Sequence, residues 1–259
     1  MSIYDLKKFN VRIFLVLNIF CMTIHAQDTT SLNRGNPVTP PKSEYPKKIF
    51  KATIAPVLLI GLGVSEIHDN GIYSSHKIYR EIHEHLRIER THVDDYLQYV
   101  PYAGLATLNL LKIKSRDDHL NTVLLSLKSI ALNFIIVYSL KYSVYMVRPD
   151  STGPERTNSF PSGHTANAFT AATLLHKEFG KESIWYSIGG YGVASTVGVF
   201  RMLNNRHWFS DVLAGAGIGI LSTNLIYLTH KYRWGNSPLL SFTPFVNRYA
   251  AGVMIRKKL

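Results

Sequence analysis

Three short polar stretches interrupt an otherwise apolar chain, and each holds residue types that handle phosphate. In RMLNNRHWFSDVLAG, Arg201 to Gly215, His207 and Asp211 stand four residues apart, a spacing that puts both on one face of a helix start. Asp211 there accepts a hydrogen bond from one ring nitrogen, sets the tautomer and leaves the other nitrogen as an oriented lone pair. That makes His207 a usable nucleophile or base. Arg201, six residues upstream of His207, adds a planar cation suited to phosphate oxygens. Taken alone, the stretch also fits a solvated loop followed by a helix-capping aspartate.

The second stretch is FPSGHT, Phe160 to Thr165. Pro161 and Gly163 shape a turn and Ser162 is placed to cap a helix, so free backbone N–H groups and the positive end of the helix dipole form an anion site with His164 at its mouth. The third is KYSVYMVRP, where Lys141 and Arg148 are seven apart and Pro149 ends the element. Seven residues is nearly two helical turns, so both cations can face one side. Two snorkelling basic residues at a helix end would look the same. Together, three cations, a turn with free N–H groups and two histidines, one backed by a carboxylate, read as a phosphate cradle.

Six largely apolar segments must position these residues: Ala52–Val64, Tyr96–Leu111, Leu120–Leu140, Thr165–Leu175, Ile184–Phe200 and Val212–Thr229. None alternates over a long run and most exceed strand length, so all six read as helices. The expected fold is an all-α, membrane-embedded bundle of about six core helices whose ends gather the polar stretches at one face. A short hairpin is expected near the C-terminus, with Pro244 restricting the first strand to an edge. Small residues cluster in the later helices, Gly190, Gly192, Ala194 and Ser195 in one, Ala214 to Gly217 and Gly219 in the next, and they suit close helix packing. Between the first two helices, His83-Glu84-His85 does not have the four-residue spacing of a helical zinc pair. Ile78, Ile82 and Leu86 instead mark the apolar stripe of an amphipathic helix. No metal site and no cofactor is expected.

The three stretches resemble the signature motifs of the type 2 phosphatidic acid phosphatases, a family grouped with bacterial acid phosphatases and vanadium haloperoxidases. Lys141, Arg148 and Pro149 match the first motif, Pro161 to His164 the second, and Arg201, His207 and Asp211 the third. Phe200 stands where the family usually has serine. The resemblance implies that His207, oriented by Asp211, attacks phosphorus to form a phosphohistidine, and that His164 protonates the leaving oxygen. It implies that Lys141, Arg148, Arg201 and the N–H groups near Ser162 and Gly163 hold the phosphate oxygens. The expected function is a membrane-lipid phosphatase of the cell envelope acting on a phosphorylated lipid, with a periplasmic acid phosphatase acting on small esters and a lipid-binding protein without turnover as the alternatives.

Charge and length narrow the setting. The 259-residue chain carries a formal net charge of +12, which calls for an anionic partner. Its basic residues are spread through apolar context rather than gathered in an aromatic-flanked run, which argues against nucleic acid. A basic region at Lys7, Lys8 and Arg12, an apolar core over Ile13 to Met22 and Ile24-His25-Ala26 read as a signal peptide over residues 1–26. Cys21, the single cysteine, falls within it. A Pro-, Ser- and Lys-rich linker is expected over 27–50, the phosphatase domain over 51–235, and a segment without an assigned role over 236–259. Uncharged runs at Ile184–Phe200 and Val212–Thr229 suit spans of about 20 residues. The first segment, at about 1.5 Å per residue, looks too short for a hydrocarbon core of about 30 Å. Basic connections away from the motifs (Lys112, Lys114, Arg116, Lys177, Lys181, Lys231, Arg233) place the site on the periplasmic or outer side by positive-inside counting.

Overall fold

The computed structural model describes residues 45–67, 74–85, 90–150, 158–230, 240–246 and 251–257. The leader-like segment 1–26 and most of the expected linker lie outside these residues. The helices run in the order α1 (Tyr45–Ser65), α2 (Ser75–His85), α3 (Val93–Leu97), α4 (Val100–Leu110), α5 (His119–Ser143), α6 (Gly163–Phe179), α7 (Ile184–Leu203) and α8 (Phe209–Thr229). All six expected segments are helical, but the second is split. Pro101 stands in the first turn of α4, where its missing N–H costs nothing, and α3 has already ended at Leu97.

Two expectations are corrected. Helix α1 begins at Tyr45, inside the stretch assigned to the linker, with Pro46 tolerated in its first turn. The helix is therefore 21 residues long, about 30 Å at 1.5 Å per residue, and is not too short for a span. Among the described residues, three helices are long and apolar enough to cross a membrane: Pro46–Ser65, His119–Ser143 and Phe209–Thr229. Helix α7 does not join them, because its uncharged run is diluted by glycine, serine and tyrosine.

Helix α8 lies at the centre, packed on α1, α5 and α6, and its small residues are what let those helices approach. A Cβ added at Gly219 would fall 2.3 Å from the carbonyl oxygen of Ala166, one at Gly217 2.6 Å from that of Pro56, and one at Gly215 2.6 Å from that of Ser162. Gly192 meets nothing within 4 Å, so the packing role expected of it is not seen. Helix α1 runs antiparallel to α8: Gly63 lies against Ser210 and Ala214, and Asn224 Nδ2 donates to the carbonyl of Ala52. Helix α2 lays Ile78 and Ile82 on Met202 and Val212, as its apolar stripe requires.

The outer faces of α1 and α5 are apolar and uncovered. Leu58 on α1 and Leu127, Phe134 and Ile135 on α5 are more than half exposed, a pattern that suits hydrocarbon rather than water. At the C-terminus, β1 (Leu240–Val246) and β2 (Ala251–Lys257) pair antiparallel, Leu240 opposite Lys257 and Val246 opposite Ala251. In a two-stranded ribbon both strands are edges, which accommodates Pro244.

Candidate active site

The α7–α8 connection turns on Asn205, whose φ of 58° is left-handed, a conformation asparagine tolerates better than most residues. The amides of Arg206 and His207 both donate back to the carbonyl of Arg201. The turn sends His207 inward, where it is buried, and leaves the Arg206 side chain at the half-buried rim. His207 Nδ1 lies 3.1 Å from Asp211 Oδ2, as the four-residue spacing required. The same Oδ2 accepts from the hydroxyl of Ser159 at 2.5 Å and from the amide of Trp208 at 2.9 Å. Asp211 is fully buried, so its carboxylate is clamped on three sides and the ring is locked to it. Burial, then the charges of Arg201, Lys141, Arg148 and His164, push the His207 pKa well below the ordinary histidine value. The imidazole is thus neutral with cations around it.

His164 opens α6 beside this pair. Its Nε2 lies 2.9 Å from Asp95 Oδ1. Burial and the Arg201 charge lower its pKa, while Asp95 and Asp94 oppose that shift. Arg201 is buried and its Nη1 donates to Asp94 Oδ2 at 2.7 Å and Asp95 Oδ1 at 3.4 Å. Asp94 is itself buried and accepts from Asn204 Nδ2 at 2.8 Å. For Asp95, burial pushes the pKa up, but His92, His164 and Arg201 outweigh it and hold the carboxyl below its usual range.

The remaining motif residues close the third side. Lys141, in the last turn of α5, donates to the carbonyls of Asn158 and Ser159 at 2.9 and 3.3 Å. A bridge between Met146 and Asn158 and a bond from the Ser159 amide to the Met146 carbonyl tie the loop ahead of α6 to the strand-like segment after α5. The Phe160–Pro161 peptide is cis. Arg148 is half-buried, and burial followed by the Arg201 charge lowers its pKa. Arg148 Nε and Arg201 Nε are buried donors with no acceptor among the described residues. Two unengaged guanidinium donors around a neutral, oriented imidazole make a pocket that accepts an anion.

One expectation changes here. Ser162 is fully buried and caps α6: its Oγ takes the Thr165 amide and bonds the Thr165 hydroxyl. Its own amide donates to the Asp211 carbonyl at 3.0 Å, so neither group of Ser162 is open to a ligand. The first-turn amides of Gly163 and His164 remain, where a helix offers no internal acceptor. A methyl added at Gly163 would sit 3.9 Å from Lys141 Cε, on the wall of the cradle.

The structure thus gathers His207, Asp211, His164, Lys141, Arg148, Arg201 and Gly163, and adds three residues that the motifs did not name: Asp94, Asp95 and Ser159. Asp94-Asp95 could have been suspected as adjacent carboxylates in a stretch rich in histidine. Ser159 carried no signal beyond its place three residues before Ser162. Among the described residues, no group of three His, Cys, Asp or Glu side chains is arranged to hold a metal ion.

Residues 122–235 match the family model of the PAP2 superfamily. The chain is 35% identical to the lipid A 1-phosphatase of Porphyromonas gingivalis over 83% of its own length and 49% of that protein. It is 29% identical to a PA-phosphatase related-family protein of Dictyostelium discoideum over 44% of its length and 51% of that protein. The chain therefore spans about half the length of these curated relatives. The crystal structure of Aquifex aeolicus LpxE aligns with a TM-score of 0.46 at 26% identity, covering 59% of this chain and 93% of that one. All the motif residues, from Lys141 to Asp211, lie within the stretch 122–235 that matches the PAP2 superfamily model.

Proposed function

We propose that the protein hydrolyses a terminal phosphate on a membrane lipid through a phosphohistidine intermediate, without a metal. His207 Nε2, left free by the Nδ1–Asp211 bond, forms a P–N bond as the P–O bond to the lipid breaks. His164 gives its proton to the departing lipid oxygen. Water then attacks the phosphohistidine as the unprotonated His164 takes its proton, the P–N bond breaks, inorganic phosphate leaves and both histidines return to their starting forms. Arg148, Arg201, Lys141 and the Gly163 and His164 amides stabilise the charge on the equatorial oxygens, where phosphoryl transfer most needs it. The observation that carries this reading is the buried His207–Asp211 pair, 3.1 Å apart, together with the Nε donors of Arg148 and Arg201, which lack acceptors among the described residues.

The lipid is supported by the outer faces of α1 and α5 and by the name of the P. gingivalis relative. A secreted acid phosphatase acting on small esters would have no need of these uncovered apolar helices. The site faces the periplasm in this reading, because Lys112 and Lys114 in the α4–α5 connection, Lys177 in the last turn of α6 and Lys181 in the α6–α7 connection lie at the opposite end of the bundle.

The test is phosphate release by purified protein in EDTA from phosphatidic acid, phosphatidylglycerol phosphate, lipid A and one small soluble ester. Release from a lipid in preference to the ester, resistant to EDTA, is expected. Preference for the soluble ester would overturn the lipid assignment, and no release from folded protein would overturn catalysis.

A further inference from the structure

Beside the motif residues, and sharing Arg201 with them, lies a cavity of about 270 Å³, lined by Arg90, Thr91, His92, Arg201, Asn204 and Arg206. Asp94 and Asp95 also line it, but both are engaged. Asp94 bonds Arg201 and Asn204, and Asp95 bonds His92, His164 and Arg201. Among the described residues, Arg90 and Arg206 share one carboxylate loosely, Asp150, at 3.8 and 3.5 Å. Two guanidiniums with one distant carboxylate between them leave the rim cationic, and an anion between them would be favoured.

The cavity is built rather than incidental. Asn204, which ends α7, accepts from the Thr91 amide at 3.0 Å and donates to the Thr91 carbonyl at 2.9 Å and to Asp94 Oδ1 at 2.8 Å. That clasp fixes the wall formed by residues 90–91 against the helix end that carries Arg201. Thr91 Oγ1 is a buried polar atom with no partner among the described residues. Arg206 is the neighbour of His207 in sequence, yet Arg206 lines this cavity and His207 does not. None of His207, His164, Lys141 or Arg148 lines this cavity.

We propose that this cavity is a second anion subsite. It holds a phosphate or carboxylate of the substrate headgroup other than the phosphate being removed, so that the enzyme prefers lipids with two anionic groups. The inference rests on the lipid-phosphatase reading above, and its test separates the two. In the full-length His207→Ala background, which leaves the substrate intact, binding of bis-phosphorylated lipid A and of phosphatidic acid is measured in detergent micelles. Arg90→Gln/Arg206→Gln should weaken bis-phosphorylated lipid A by roughly tenfold or more and leave phosphatidic acid unchanged. Arg90→Lys/Arg206→Lys, which keeps both charges, should recover most of the loss and controls for folding. Equal loss on the two lipids, or no loss on either, would overturn the subsite. Because the readout is binding, it stands even if the wild-type protein releases no phosphate, a result that would overturn the reaction alone.

Discussion

In the proposed reaction His164 and His207 do opposite work, and both are shifted down by burial, but Asp95 stands beside His164 and opposes its shift. His207 is buried among cations and kept neutral, as a nucleophile must be, with its pKa pushed well below the usual range. His164 also feels burial and Arg201, but Asp95 at 2.9 Å pulls back toward the protonated form that a general acid needs. His164→Ala should therefore lower kcat by roughly 10²- to 10⁴-fold with KM little changed, checked by steady-state phosphate release. Asp95→Asn removes the opposing charge, so the His164 pKa falls further and its proton is lost at lower pH. The limb of the kcat profile that declines as pH rises should move to lower pH, while the other limb stays; an unmoved profile would remove Asp95 from this role. The partners at His207 were legible in the sequence because they lie four residues apart. Asp94 was not, because it meets Arg201 across 107 residues of chain, and nothing local marks such a contact.

Among the elements, glycine sets how closely the central helices sit. A methyl at Gly219 would lie 2.3 Å from a backbone oxygen of α6 and 2.9 Å from the amide nitrogen of Thr170, neither of which can swing aside. Gly219→Ala should destabilise the protein by about 1–3 kcal/mol, the usual effect of overpacking, read as a lowered melting temperature in detergent. Gly192→Ala, in open space on α7, should be neutral or stabilise by up to about 1 kcal/mol through helix propensity. The clustering of small residues could be read from the sequence, but which of them face a neighbour could not. The same limit applied to the second apolar segment, where Pro101 gave a local signal for the break between α3 and α4. It applied also to α1, whose start was hidden by a composition typical of linkers.

For the whole molecule, orientation follows from which end of the bundle carries the site. The N-terminal end of α1 and the C-terminal end of α8 both lie away from His207, since Ala52 meets Asn224 and Gly63 meets Ser210. The same end carries Lys47, Lys48 and Lys51, the start of α1. If α1 crosses and the site faces the periplasm, Tyr45 lies on the cytoplasmic side. A leader cleaved after Ala26 would put residue 27 on the other side, so the two expectations made from the sequence cannot both stand with a spanning α1. Single cysteines at Lys114 and Tyr145, in a chain with Cys21→Ser, should label from opposite sides, Tyr145 from the periplasm. Labelling of Tyr145 from the cytoplasm only would reverse the orientation and leave the cleaved leader standing.

The most direct test of the central claim is to trap the covalent intermediate. Protein mixed with lipid carrying a radiolabelled terminal phosphate and quenched in alkali should retain label that acid removes, as expected for a phosphohistidine. Peptide mapping should place it on residue 207, and His207→Ala should carry none and release no phosphate. Label on another residue, or phosphate release by His207→Ala at the wild-type rate, would contradict the account.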